Sequence, residues 1–150
     1  MADNLPTIHA SAVLVGAKAV LIRGPSGSGK SRLAWDLLQA AVQGALPFAR
    51  LVADDRTLVE AHSGRLLARP APALAGLLEV HGLGIRRLSF EPVAVVGLVV
   101  DLSTEAGRMP GIQAGKTTVS GVGIPRLSVA SGSDALPLVL ASLRTIQAHD

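Results

Sequence analysis

Residues 20–38 read VLIRGPSGSGKSRLAWDLL, and the meaning of this stretch decides what kind of fold the chain builds. Gly24, Gly29, Lys30 and Ser31 satisfy the spacing G-x-x-x-x-G-K-[ST], in which glycines let backbone N–H groups converge on phosphate oxygens. A short apolar run precedes the loop. Behind it, Leu33, Leu37, Leu38 and Val42 recur at helical spacing, with Gly44 as the stop and Pro47 just beyond. A helix placed there turns its positive N-terminal end toward the loop, which suits an anionic ligand. On this reading Gly24, Pro25, Ser26, Gly27, Ser28, Gly29, Lys30 and Ser31 form a nucleotide-binding segment. Lys30 reaches the β- and γ-phosphates of ATP, and Ser31 offers its hydroxyl to Mg²⁺.

The flanking pattern is unusual for a simple nucleotide or metabolite kinase. Ala12 to Val15 and Ala19 to Arg23, separated by Gly16-Ala17-Lys18, read as a β-hairpin running straight into the loop. Thr57 to Ala61 and Arg65 to Ala68 read as a second hairpin. A Pro-rich connector leads to the loop Glu79 to Gly84, and Val93 to Asp101 reads as a strand buried on both faces. Residues 103–117 are expected to form a Gly-rich polar loop. Thr118 to Val129 is expected to give two strand fragments broken by Gly121, Gly123 and Pro125. Asp134 to Ala148 reads as a closing helix with Asp134 as N-cap and Pro137 in its first turn. The expected class is therefore α/β, β-rich with hairpins, with the phosphate loop followed by a helix. No internal repeat or linker divides the 150 residues, so one domain is expected.

Composition narrows the function. Hydrophobic residues make up 49% of the chain but aromatics only 2%, so the core is aliphatic and base stacking on aromatic platforms is disfavoured. Fourteen basic residues against eleven acidic ones suit an anionic ligand, without a basic run long enough for a nucleic-acid footprint. The absence of cysteine excludes disulfides and thiolate–zinc sites. No membrane span and no signal peptide are read from the sequence, so a soluble cytoplasmic protein is expected.

A phosphate loop of this kind needs a carboxylate at the end of a buried strand to help hold Mg²⁺. Asp54-Asp55, after RLVA, and Asp101, after VVGLVV, both qualify. The pair can divide the labour, one carboxylate near the metal and one taking the proton of an acceptor hydroxyl. Asp also starts turns, which is the competing structural role for the pair. Glu79 lies beside the Gly82-Leu83-Gly84 turn, where backbone could approach a ligand. His9, His62 and His81 are scattered, without a metal-ligand spacing.

Taken in order, IHASAVLV with His9, GPSGSGKS, RLVADD, LLEVHGLGI, VVGLVVDL, Arg108 and GIPRLSV resemble the catalytic domain of the bacterial HPr kinase/phosphorylase family. The stretch LLEVHGLGI is close to that family's Leu-Glu-Ile-Arg-Gly-Leu-Gly-Ile signature and more specific than the loop. The resemblance implies a P-loop variant of the phosphoenolpyruvate carboxykinase-like type. It implies transfer of the γ-phosphoryl of ATP to a serine of HPr, a small phosphocarrier protein of the phosphotransferase system, and the reverse phosphorolysis. It assigns Lys30 to the phosphates, Ser31, Asp54 and Glu79 to the metal, Asp55 to the proton, and His9 and Arg108 to the active site. It also implies a homo-oligomer, a hexamer in full-length members, and a form without the extra N-terminal domain, like short alphaproteobacterial ones.

Three departures qualify the resemblance. His81 stands where the signature has arginine, extra residues occur around AVQGALPFA, and SVASGSDAL replaces a basic segment tied to dephosphorylation. Loss of those charges predicts weaker binding of inorganic phosphate and a weaker reverse reaction. Two other readings compete with the protein kinase: a small-metabolite kinase using the same loop, and an ATP-sensing regulatory module that transfers nothing.

Overall fold

The computed structural model describes residues 7–103 and 115–145. Strands β1 (Thr7–Val15) and β2 (Lys18–Arg23) form the expected hairpin, turning at Gly16, and β2 delivers the chain into the glycine loop. Helix α1 (Lys30–Val42) follows, and β3 (Ala49–Ala53) returns antiparallel to β1. The second expected hairpin is β4 (Arg56–His62) with β5 (Arg65–Pro70). Its two-residue turn, Ser63-Gly64, has both residues at positive φ, matching the right-handed twist of the strands it joins. A 3₁₀ turn, Pro72–Leu74, leads to a small hairpin of β6 (Leu77–Val80) and β7 (Gly84–Arg87). Then come β8 (Ala94–Ser103), β9 (Lys116–Val119), β10 (Val122–Ala130) and α2 (Leu136–Arg144).

Eight of these strands form one mixed sheet, and β8 is its hub. It lies parallel to β2 and β10 and pairs antiparallel with β5, so the path β2-β1-β4-β5-β8 closes back on β2. One face carries the core that includes Val20, Ile22, Leu98 and Val100, packed against Leu33, Ala34 and Leu37 of α1 and Val139 of α2. The other core lies within the closed path and is built mainly from small residues, among them Ala10, Ala12, Ala19, Val59, Ala68 and Val99. Each fully buried leucine in the first core contributes roughly 1.5–3 kcal/mol of transfer free energy.

Two bulges decide which side chains reach the helical face. Opposite Ala19-Val20, β8 pairs through Val96 and Leu98, leaving Gly97 as the extra residue. A Cβ at Gly97 would meet the Lys18 side chain at 2.8 Å, so glycine suits the kink. The bulge switches alternation: Ala94 and Val96 share a core with Val99, while Leu98 and Val100 face the helices. Opposite Ala12-Val13, β3 pairs through Ala53 and Leu51, leaving Val52 extra. Because of that extra residue Ala53 joins the inner core, and Asp54 emerges on the α1 side.

Some expectations change. Strand β10 runs unbroken through Gly123 and Pro125, since Pro125 sits where pairing passes from antiparallel β9 to parallel β8. Glu79 belongs to β6 instead of a loop. Helix α2 begins at Leu136, and Asp134 accepts the Leu136 N–H from just outside it. Residues 104–114, most of the expected polar loop, and 146–150 at the end of the expected helix lie outside the described residues.

Candidate active site

The glycine loop joins the C-terminal end of β2 to α1. Its tightness has two sources. A Cβ at Gly24 would lie 2.5 Å from Ser28 Oγ and 2.7 Å from the Leu102 carbonyl oxygen, and the backbone carbonyl cannot yield. A Cβ at Gly29 would make only an ordinary contact, 4.0 Å from Leu102 Cδ1, but Gly29 sits at φ 104°, which L side chains rarely adopt. The loop folds over Lys30, which is buried and donates Nζ hydrogens to the Gly24 and Pro25 carbonyls at 2.9 and 3.2 Å. Ser28 is 5% exposed, and among the described residues its hydroxyl has no partner. A buried hydroxyl left unpaired in a loop that folds around a cationic side chain is a reason to expect a polar ligand there.

The aspartate pair meets this loop. Ser31 Oγ donates to Asp54 Oδ1 at 2.7 Å, which links the first turn of α1 to the end of β3. Ser11 Oγ, fully buried on β1, donates to the same oxygen at 2.7 Å and accepts the Asp55 N–H at 3.2 Å. The Glu79 N–H donates to Asp54 Oδ2 at 3.2 Å. Asp54 is thus 8% exposed and held by neutral donors. Asp55 differs: it sits at φ 70°, its side chain is 61% exposed, and it faces the cleft above the loop. His9 Nδ1 lies 3.9 Å from Asp55 Oδ1.

That cleft, about 710 Å³, is lined by the loop from Ser26 onward, by Asp55, Glu79 and His81, and by the turn before α2. Its volume falls in the range of about 300–1,000 Å³ typical of small-molecule sites. The structure therefore brings together Lys30, Ser31, Asp54, Asp55, His9 and Glu79. His81 lines the cleft as well, whereas Arg108 lies outside the described residues. Among the described residues no three His, Asp or Glu side chains are arranged to hold a metal by themselves. Mg²⁺ commonly takes one or two carboxylates and completes its shell with phosphates and water. The hard oxygens of Ser31 and Asp54, with Glu79 beside them, fit that habit.

Asp101, the other strand-end candidate, is engaged elsewhere. Arg23 donates to both its oxygens, at 2.7 and 2.8 Å, and Arg126 makes a further close ion pair. Burial works to raise the Asp101 carboxyl, but the bonds from Arg23 and Arg126 outweigh it and hold it below the usual carboxylate range. Sequence reasoning missed Ser11, whose only signal is a polar residue inside the apolar run HASAVLV. It also missed Trp35, Asp36 and Asp134, which line the same cleft. Burial is the main cause holding the Asp36 carboxyl above its ordinary range; Arg32 pulls it down and Asp134 adds to the rise.

Comparison with known proteins gives the family and the fold. The family model described as HPr Serine kinase C-terminal domain matches residues 3–90. The chain belongs to this family. An HPr kinase/phosphorylase of Limosilactobacillus reuteri is 32% identical over 136 residues, covering 82% of this chain and 40% of the relative. One from Streptococcus thermophilus is 41% identical over 80 residues, covering 53% of this chain and 24% of that protein. The chain thus spans well under half the length of these curated relatives. The Hpr(Ser) kinase/phosphatase structure from Coxiella burnetii superposes with a TM-score of 0.72 at 20% identity, covering 93% of this chain and 88% of that one. At that identity the match establishes the fold, a mixed, sheet-rich α/β architecture. Among the described residues no helix is long and apolar enough to cross a membrane.

Proposed function

We propose that this chain is an ATP-dependent protein-serine kinase whose acceptor is an HPr-like phosphocarrier protein. The observation that carries the reading is the 2.7 Å hydrogen bond from Ser31 to Asp54, which ties the glycine loop to the acidic pair in one cleft. The loop acts as a P-loop variant of the phosphoenolpyruvate carboxykinase-like type. Its backbone N–H groups and the N-terminus of α1 hold the anionic tail of ATP. Lys30 exchanges two neutral carbonyl partners for phosphate oxygens, which make stronger, charge-assisted bonds.

Ser31, Asp54 and Glu79 are the residues that would hold Mg²⁺, which when bound neutralises charge on the transferring phosphoryl group. Asp55, at the open side of the cleft, accepts the proton of the incoming serine hydroxyl. The serine oxygen bonds to the γ-phosphorus, the bond to the β–γ bridging oxygen breaks, and ADP leaves. A base so placed contributes about 10²–10⁴-fold. His9 orients the Asp55 carboxylate, and Arg108 completes the set. The reverse phosphorolysis is proposed to be weaker, because residues 128–136 carry no Lys or Arg and place Asp134 at the cleft. A hexamer is the assembly proposed from the family relation.

The test incubates the protein with labelled ATP, Mg²⁺ and HPr-like carriers and maps the modified residue. Asp55→Asn is expected to abolish phosphoserine while ATP still binds; retained transfer would remove Asp55 from its role. Bound ATP with no phosphoserine on any carrier would favour a nucleotide-sensing module instead.

A further inference from the structure

Three non-glycine residues among those described have positive φ: Asp55, Ser63 and Ser120. Ser63 and Ser120 sit in two-residue hairpin turns ahead of Gly64 and Gly121, where such geometry matches the twist of the strands. Asp55 has no hairpin to explain its φ of 70°. On the edge of β1 away from β2, β3 pairs as far as Ala12 with Ala53, and β4 takes over at His9 with Arg56. Ala10-Ser11 on one side and Asp54-Asp55 on the other lie between the two ladders. A straight chain would therefore make β3 and β4 one continuous partner of β1. It bends instead, because the Arg56 N–H donates to the Asp54 carbonyl, two residues back, at 2.8 Å. That bond, with positive φ at the residue between, defines the rare and strained form of the γ-turn.

Consecutive side chains of an extended strand point to opposite faces. With Asp54 bonded to Ser31 of α1, a straight chain would send Asp55 to the face away from the cleft. The turn brings it back, so that Asp55 lines the cleft that Ser31 also lines. Strain of this kind persists only where the surroundings hold it. Here β1 holds both backbone groups of Asp55: its N–H donates to Ser11 Oγ at 3.2 Å, and its carbonyl accepts the Ala10 N–H at 3.2 Å. Ala10 is pinned in turn, since Thr57 Oγ1, fully buried on β4, donates to the Ala10 carbonyl at 2.8 Å. We propose that this turn aims Asp55 at the acceptor hydroxyl, and that Thr57 is a positioning residue acting through Ala10. The role rests on the kinase reading above and deepens it. Being fully buried, Thr57 acts on the reaction only through the backbone it holds.

Two substitutions at the exposed Asp55 read the strain. At an ordinary position glycine leaves a protein less stable than alanine does, whereas at positive φ the order inverts. Asp55→Gly is expected to have an unfolding constant about fivefold smaller than Asp55→Ala, from urea titration of the full chain. Thr57→Val keeps the shape of the side chain and removes its hydroxyl. It is expected to lower kcat for phosphoserine formation on an HPr-like carrier by about 10–100-fold per folded molecule, the scale for a misplaced reacting group. ATP affinity, read by calorimetry, should stay unchanged. Thr57→Ser, which keeps the hydroxyl, should recover most of the loss, and Thr57→Ala supplies the same comparison should the valine variant fail to fold. A role in packing alone would lower stability and leave kcat per folded molecule untouched. Asp55→Ala proving the more stable of its pair would overturn the strained turn. A wild-type kcat without the Thr57 hydroxyl, or ATP affinity that falls in step with kcat, would overturn the positioning role; each of these results leaves the kinase reading standing. A wild-type chain that phosphorylates no carrier would bring down the kinase reading and the positioning role together.

Discussion

Asp54 lies just beyond the end of β3 and Asp101 two residues before the end of β8, yet the structure treats them in opposite ways. Asp54 is held by two serine hydroxyls and a backbone N–H, so its negative charge is oriented but not neutralised. Asp101 is clamped by Arg23 and Arg126, so its charge is spent inside the fold. Register explains the clamp: β2 and β8 run parallel with Arg23 opposite Asp101, and Arg126 opens the pairing of β10 with β8. Neutral donors leave a carboxylate able to serve a cation or a proton; guanidinium partners convert the same side chain into a fastener.

The largest effect should come from breaking the first of these. Asp54→Asn is expected to lower phosphotransfer to the carrier by about 10²–10³-fold, the scale for losing one preorganised electrostatic group, with the fold retained. Steady-state phosphoserine formation at saturating Mg²⁺ measures it, and wild-type rates would place the metal elsewhere.

Asp101→Asn should do the reverse. We expect a loss of about 2–3 kcal/mol in urea unfolding at neutral pH, from uncoupling two arginines from a mostly buried carboxylate, with phosphotransfer per folded molecule unchanged. The sign with pH follows from the direction of its shift. Because the folded-state pKa is depressed, the stabilisation is present above the ordinary carboxylate range and is lost as pH falls through the folded value. Urea curves for wild type and variant should therefore converge in acid; a gap that stays constant with pH would rule out the ionised clamp.

Ser11→Ala sharpens the comparison, since Ser11 holds both Asp54 and Asp55, the pair proposed to serve the reaction. It should cost about 1–2 kcal/mol of stability. It should also lower phosphotransfer more than it weakens ATP binding, and Ser11→Thr should restore part of both.

The smallest effect is expected at Asp36. Its folded-state carboxyl lies above the ordinary range, mainly through burial, so its stabilising contribution is complete at low pH and fades as pH rises through the folded value. Asp36→Asn should gain about 0.5 kcal/mol at neutral pH and nothing in acid, read from paired urea titrations.

Much of the architecture could be read from local pattern. The hairpin of β1 and β2 announced itself through two apolar runs around Gly16, and α1 through the spacing of Leu33, Leu37 and Leu38. Pro125 misled because proline usually ends a strand; here it falls at the changeover between two partners. Part of the cleft lining was illegible for another reason. Trp35 and Asp36 look like ordinary helix residues until the turn before α2, a hundred residues later, is brought against them.

The amino-acid order by itself determined the components: a glycine-rich loop that can cradle anions, a helix behind it, two candidate carboxylate sites and the family signature. These follow from backbone freedom at glycine and from the period of apolar residues, which are local properties. Only the tertiary structure decided which carboxylate meets the loop and which one braces the sheet. Strict alternation along β3 would carry Asp54 to the face away from α1, and the extra residue at Val52, visible only against its partner strand, turns it back toward Ser31.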